Sequence, residues 1–231
     1  MDSKENCIVL LGDSLTFGYG VPKKDSWSYK LKENLKDYTV LNKGINGDTT
    51  SSMLTRYYKD VISNNPKTIF IMGGTNDLLS GRNVDYIIGN ISLLIKEGLE
   101  CGANIIVGIP PIIIKEMAEE LFMESEHYRL CEKSLPILRE KIISLNKKYP
   151  FKYVDLYKLT KDHINEKIFL DGIHLNKKGN ELITNSILDV FWCKLTCITS
   201  IYIFKIHTWV SVYYITTCKY SFYWSFIIFK L

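Results

Sequence analysis

A serine hydroxyl attacks a carboxylic ester only when a neighbouring base takes its proton. An imidazole, titrating near neutrality, is the side chain suited to that task. Ser14 stands in Gly12-Asp13-Ser14-Leu15, directly after the apolar residues 7–11, where a turn at a strand end would display its hydroxyl. Towards the other end, Asp171-Gly172-Ile173-His174 sets a carboxylate three residues before an imidazole. Between them lie two Gly-containing segments, Asn42-Lys43-Gly44-Ile45-Asn46-Gly47-Asp48 and Gly73-Gly74-Thr75-Asn76-Asp77. Each segment alone reads more readily as structure: the first is an ordinary turn and the last an ordinary surface pair. Asp13 and Asp77 are expected to bond nearby backbone N–H groups and shape their turns. His163, beside Asp162, offers a rival dyad but lacks the Gly-containing turn and the placement before a closing helix. His127 and His207 read as surface or incidental residues.

What must position these groups is an alternation of short apolar runs and longer amphipathic ones. Strands are expected at 7–11, 39–41, 68–72, 104–109 and 153–155. Helices are expected at 27–36, 51–62 and 85–100, then over 115–148 with a break at Pro136, and finally at 177–191 with Asn176 as N-cap. Such alternation implies parallel strands joined by right-handed crossovers, and a sheet covered by helices on both faces. Sites in such sheets sit at the carboxyl ends of the strands, where the segments above fall.

Taken in order, the four segments resemble, block by block, the motifs of the GDSL (SGNH) hydrolases across residues 7–190. These are esterases, lysophospholipases, thioesterases and carbohydrate deacetylases. The resemblance implies a flavodoxin-like three-layer α/β/α fold with a central parallel five-stranded sheet. It makes Ser14 the nucleophile, His174 the base and Asp171 its partner, with Ser14, Gly47 and Asn76 forming the oxyanion hole. Elementary chemistry agrees. Asp171 can hold one ring nitrogen so that the other points at Ser14, and it stabilises the imidazolium that forms. The N–H groups of Ser14 and Gly47 and the Asn76 amide can meet a tetrahedral oxyanion, glycine allowing close approach and the amide bringing no charge.

The loop Asn46-Gly47-Asp48-Thr49-Thr50 resembles that of bacterial lysophospholipase/thioesterase members, which implies a lipid or simple acyl ester as substrate. Residues 109–122 are apolar enough to line an acyl pocket, although core packing is the favoured reading. A carbohydrate O-deacetylase would use the same residues in a more open, polar cleft. A non-catalytic ligand-binding domain could also keep the fold.

Composition excludes several other classes. The formal net charge of +4 belongs to the end of the chain, because residues 1–189 hold as many Lys and Arg as Asp and Glu. No basic stripe marks the body, so no nucleic-acid partner is expected. Gly18-Tyr19-Gly20-Val21-Pro22-Lys23 cannot complete a dinucleotide fingerprint, since Lys23 occupies the last glycine position. With no HExxH, Walker or clustered His/Cys pattern, neither a metal nor an organic cofactor is expected. Cys7, Cys101 and Cys131, with Cys193, Cys197 and Cys218, form no CxxC pair and read as reduced thiols in a cytoplasmic protein. The apolar stretch near the start is too short for a signal peptide.

Residues 192–231 differ in kind from what precedes them. From 190 onward the chain has no Gly, Pro, Asp or Glu and is rich in Tyr, Phe, Trp, Ile and Thr. Lys205, His207 and Lys219 interrupt its apolar runs, so no membrane span is expected. The domain is therefore expected to occupy residues 1–191. The remainder is read as an anomalous tail, either unselected sequence such as a shifted frame or a membrane-surface or partner-binding extension.

Overall fold

The computed structural model describes residues 6–196, 201–206 and 209–214. Its first strand, β1 (Cys7–Gly12), is apolar on both sides and buried at every position. That is the signature of a central parallel strand covered by helices on both faces. The sheet continues with β2 (Thr39–Gly44), β3 (Thr68–Met72), β4 (Asn104–Ile109) and β5 (Lys152–Asp155). Their order is β2-β1-β3-β4-β5 and every pairing is parallel. The chain leaves β1 for β2 and then crosses back to β3, so the strand order reverses at β1. A crevice forms at such a reversal, outside the carboxyl ends of the strands. Gly12 pairs level with both Gly44 and Met72, so three strand ends open there together.

Helices alternate with the strands: α1 (Ser14–Phe17), α2 (Trp27–Asn34), α3 (Thr50–Asp60), α4 (Thr75–Leu79) and α5 (Val84–Glu100) come first. After β4 follow α6 (Lys115–Leu121), α7 (Glu126–Leu145), α8 (Leu156–Asp162) and α9 (Lys177–Thr196). Because strand side chains alternate, Val9, Leu11, Ile69, Ile71, Ile105 and Val107 share one face. There they form one core with Met53 and Tyr57 of α3, Ile91 and Leu94 of α5, and Leu135 and Leu138 of α7. Phe70 points to the opposite face, where Trp27 of α2 packs against it with ring centroids 5.1 Å apart. Asn180 of α9 accepts from the Trp27 backbone N–H at 3.1 Å, fastening α9 to α2 on that side. The result is the three-layer α/β/α arrangement.

Several boundaries differ from the sequence reading for physical reasons. The region expected as one helix broken at Pro136 is two helices, and the break lies at residues 122–125, where Ser125 caps α7 with its side chain. Pro136 sits inside α7. The carbonyl it leaves without a donor belongs to Glu132, an exposed residue that water can reach. The segments 14–17 and 75–79, read as turns, are short helices. Strand β2 runs three residues past its expected end, to Gly44. Asn176 caps α9 as expected, accepting from the Gly179 N–H at 3.1 Å.

Packing divides the chain into Met1–Ile187 and Leu188–Leu231, so the expected limit at residue 191 falls within α9. In the second unit β6 (Ile201–Ile206) and β7 (Trp209–Tyr214) pair antiparallel. His207, Cys197 and Cys218 lie outside the described residues, and so does the Cys193 side chain, so the expectations for these groups fall there too. Among the described residues no helix is long and apolar enough to cross a membrane.

Candidate active site

Three strand ends and one late turn supply the site. Directly after β1, the Asp13 side chain accepts from the Leu15 N–H at 2.9 Å and caps α1, which makes Ser14 its first residue. The Ser14 N–H therefore has no acceptor within its own helix and points out of the helix start. The close seating of α1 on β2 depends on Gly44, where a side chain would meet the Phe17 N and the Asp13 carbonyl.

Ser14 Oγ lies 2.9 Å from His174 Nε2, although 160 residues separate them. His174 Nδ1 lies 2.7 Å from Asp171 Oδ2. The other oxygen, Oδ1, accepts from the backbone N–H groups of Ile173 and His174 at 2.9 and 2.7 Å. Burial alone would raise the Asp171 pKa, but these bonds and the nearby imidazole outweigh it and hold the carboxyl below its ordinary value. Tyr19 packs against His174, with ring centroids 4.5 Å apart. Ser14, His174 and Asp171 thus form one hydrogen-bonded line, the arrangement that a Ser-His-Asp triad requires.

The second strand end brings Gly47, with φ of 77° in the left-handed region. Nothing lies within 4 Å of where a side chain there would begin, so this backbone faces open space. The third brings Asn76 in the first turn of α4, whose Nδ2 donates to the Asp48 carbonyl at 2.9 Å. Its distance to Asp13 Oδ2 is 3.5 Å, at the limit of a hydrogen bond. A cleft of about 10 Å³, the room of a single water, lies beside Ser14 against Gly18, Tyr19, His174 and Ile183. Tyr19 of this cleft is roughly half exposed, as are Phe17, Ile45 and Leu170.

Residues 10–182 match the GDSL-like lipase/acylhydrolase family. The chain belongs to this family. An arylesterase of Vibrio mimicus is 35% identical over 111 residues, which cover 45% of this chain and 56% of the relative. The match therefore spans about half the length of that protein. A solved lipase/acylhydrolase from Enterococcus faecalis is 27% identical, with a TM-score of 0.63, 80% of this chain covered and 95% of the other. A solved acetyl xylan esterase, 20% identical, covers 80% of this chain and 98% of its own with a TM-score of 0.64, and shares the fold.

Within this GDSL-family chain the other sequence candidates fall elsewhere. His163 ends α8, with Nδ1 2.9 Å from the Leu159 carbonyl, while Asp162 pairs with Lys158 at 2.5 Å. The two form no dyad. His127 is exposed in the first turn of α7. Ile109, Ile112 and Ile113 are buried in the core, whereas Leu121, Phe122 and Met123 are exposed. That divides the expected acyl-lining stretch into core and surface.

Asp13 does bond within its own turn, and it is also almost fully buried. Burial pushes its pKa up to about 7, opposed by the Leu15 N–H and by His174, and aided by the charge of Asp48. Asp77 does something different from shaping its own turn. It accepts from the Thr50 N–H at 2.9 Å and the Thr50 hydroxyl at 2.7 Å, binding the start of α4 to the start of α3.

Sequence reasoning also missed Arg56, whose guanidinium meets Asp48. An Arg56–Asp60 pair at helical spacing was readable, but the eight-residue step to Asp48 crosses a helix start and has no periodic signature. Among the described residues no group of His, Cys, Asp and Glu could hold a metal ion.

Proposed function

We propose that this chain is a serine esterase that hydrolyses carboxylic esters through an acyl-enzyme. The observation that carries the reading is the unbroken line Ser14 Oγ, His174 Nε2, His174 Nδ1, Asp171 Oδ2, with links of 2.9 and 2.7 Å. His174 takes the Ser14 proton as Oγ attacks the carbonyl carbon. The oxyanion that forms is met by the N–H groups of Ser14 and Gly47 and by Asn76 Nδ2, which has a second hydrogen beyond the one given to Asp48. His174 then hands its proton to the departing alcohol. Water, deprotonated by the same base, releases the acid and restores Ser14. Every proton in this cycle moves between Ser14, His174, water and the departing alcohol, so the steps call for no metal or cofactor.

Similarity to the Vibrio mimicus arylesterase, and the half-exposed Phe17, Tyr19 and Ile45 in the segments that follow β1 and β2, support an acyl group carried on an apolar or aromatic alcohol. A second reading, removal of acetyl groups from a carbohydrate, is supported by the fold shared with an acetyl xylan esterase. Nitrophenyl esters of increasing acyl length, tested alongside acetylated xylo-oligosaccharides, separate the two. Highest kcat/KM on short nitrophenyl esters, lost in Ser14→Ala, is the expected result. Highest activity on the acetylated sugars selects the deacetylase, and failure of Ser14 to react with a fluorophosphonate leaves a ligand-binding domain.

The free thiols Cys7, Cys101 and Cys131 support a cytoplasmic location. The catalytic domain is assigned to residues 1–191, with a small-molecule ester as partner and no role for nucleic acid.

A further inference from the structure

We propose that Arg56 is a positioning residue that fastens together the three segments carrying the oxyanion donors. The inference rests on the acyl-transfer reading above. The Arg56 side chain is only 14% exposed and its guanidinium spends its donors on three places. Nε and Nη2 reach Asp48 Oδ2 at 2.8 and 2.6 Å. Nη2 also donates to the Gly12 carbonyl at 3.1 Å, and Nη1 to Asp60 Oδ2 at 3.0 Å. Asp60 closes the same helix, so the guanidinium is itself braced.

The placement of those partners gives Arg56 its reach. Gly12 lies two residues before Ser14, and Asp48 directly follows Gly47. The Asp48 carbonyl accepts from Asn76 Nδ2 at 2.9 Å. One side chain therefore links the Ser14 N–H, the Gly47 N–H and the Asn76 amide without touching any of them. The Gly47 loop needs such a hold. With no side chain and open space beside it, Gly47 gains nothing from packing. Backbone bonds from Ile45 to the Gly12 carbonyl at 3.0 Å and from Asp48 to the Ile45 carbonyl at 3.2 Å fix its neighbours, and Arg56 holds Asp48 from the far side. Lysine cannot replace it, because only the planar fork presents two nitrogens to Asp48 while a further hydrogen meets a carbonyl.

The test compares full-length wild type, Arg56→Met and Arg56→Lys by kcat and KM on p-nitrophenyl acetate, by inhibition with a boronic acid, and by thermal melting. A boronate bonded to Ser14 is tetrahedral and needs the same donors as the oxyanion. Arg56→Met is expected to lower kcat at least about tenfold with KM changed by less than about twofold, and to weaken boronate inhibition in parallel. Added guanidinium, at millimolar concentrations too low to denature, should restore part of that kcat. Arg56→Lys should fall between the two without rescue. In an Asn76→Ala background the Arg56→Met loss should shrink, because one of its targets is gone.

A folded Arg56→Met or Arg56→Lys protein with wild-type kcat overturns the proposal, and so does a loss confined to KM. If Arg56→Met fails to fold, Arg56→Lys decides by the same readouts. Wild-type protein without Ser14-dependent turnover removes instead the acyl-transfer reading on which the proposal stands.

Discussion

Asp171 grips His174 twice, its Oδ2 meeting ring Nδ1 at 2.7 Å and its Oδ1 accepting the His174 backbone N–H at the same distance. One carboxylate thereby holds both the imidazole and the chain that carries it, and in the proposed mechanism it sets the tautomer of the base. In Asp171→Asn the new amide hydrogens face Nδ1, which favours the tautomer protonated on Nε2. That tautomer cannot take the Ser14 proton. The variant is expected to fold and to lose about 10³–10⁴-fold in kcat with little change in KM. Steady-state kinetics with circular dichroism checks this, and a folded variant with full kcat removes Asp171 from the mechanism.

Asn76 is expected to act on the transition state. Its Nδ2 binds Asp48 in the resting site and has a second hydrogen for the oxyanion. Loss of one such donor typically costs about 3 kcal/mol of transition-state stabilisation. Asn76→Ala should lower kcat at least about tenfold while thermal melting stays near wild type. An unchanged kcat in the folded variant assigns Asn76 to structure only.

Asp13 makes stability depend on pH in an unusual direction. Its pKa is raised from 3.8 to about 7 by burial, so the folded protein keeps a proton there that the unfolded chain has already released. The contribution of Asp13 to stability therefore declines as pH rises from about 4 to about 7, then stays level. The upper bound is about 4 kcal/mol, three pKa units at about 1.4 each. Asparagine keeps the helix cap without the ionisation. Urea denaturation should show Asp13→Asn gaining on wild type between pH 5 and pH 8, and parallel pH profiles for the two proteins contradict the assignment. Asp171, held below its ordinary pKa, acts oppositely and loses its contribution only as pH falls below 3.8.

The Asp77–Thr50 contact is a stability determinant. Asp77 is fully buried and satisfies both the backbone and the hydroxyl of Thr50, while Asn90 donates to that hydroxyl at 3.0 Å. Asp77→Ala leaves two buried donors without their charged acceptor and should cost about 3 kcal/mol. Chemical denaturation measures it, and a midpoint equal to wild type discards the role.

Removal of residues 192–231 tests where the catalytic domain ends. All the proposed site residues precede the cut, and so do Asn180, Ile183, Thr184 and Ile187, which α9 buries. Ser14-dependent turnover is expected to persist in the shortened protein, with less aggregation because an apolar segment without acidic gatekeepers is gone. Loss of folding on truncation places the tail within the domain.

Strand and helix order were legible because burial on both faces leaves a continuous apolar run such as residues 7–11, and burial on one face leaves a helical stripe such as Met53, Leu54 and Tyr57. The break at residues 122–125 was not, because Pro136 is the stronger local signal and its cost depends on whether the freed carbonyl reaches water. Ser14, Asp171 and His174 stood out because each lies in a short motif at a strand end or before the closing helix, and local spacing carries that information. Asp13 and Asp77 look alike in sequence, each an acidic residue in a Gly-containing turn. Only the packed molecule buries Asp13 beside His174 and Asp48, and only the packed molecule sends Asp77 to Thr50. The same holds for Arg56. A motif written within a few residues is set by the chain itself, whereas a charge-assisted bond between segments exists only once the sheet has brought β1, β2 and β3 to a common edge.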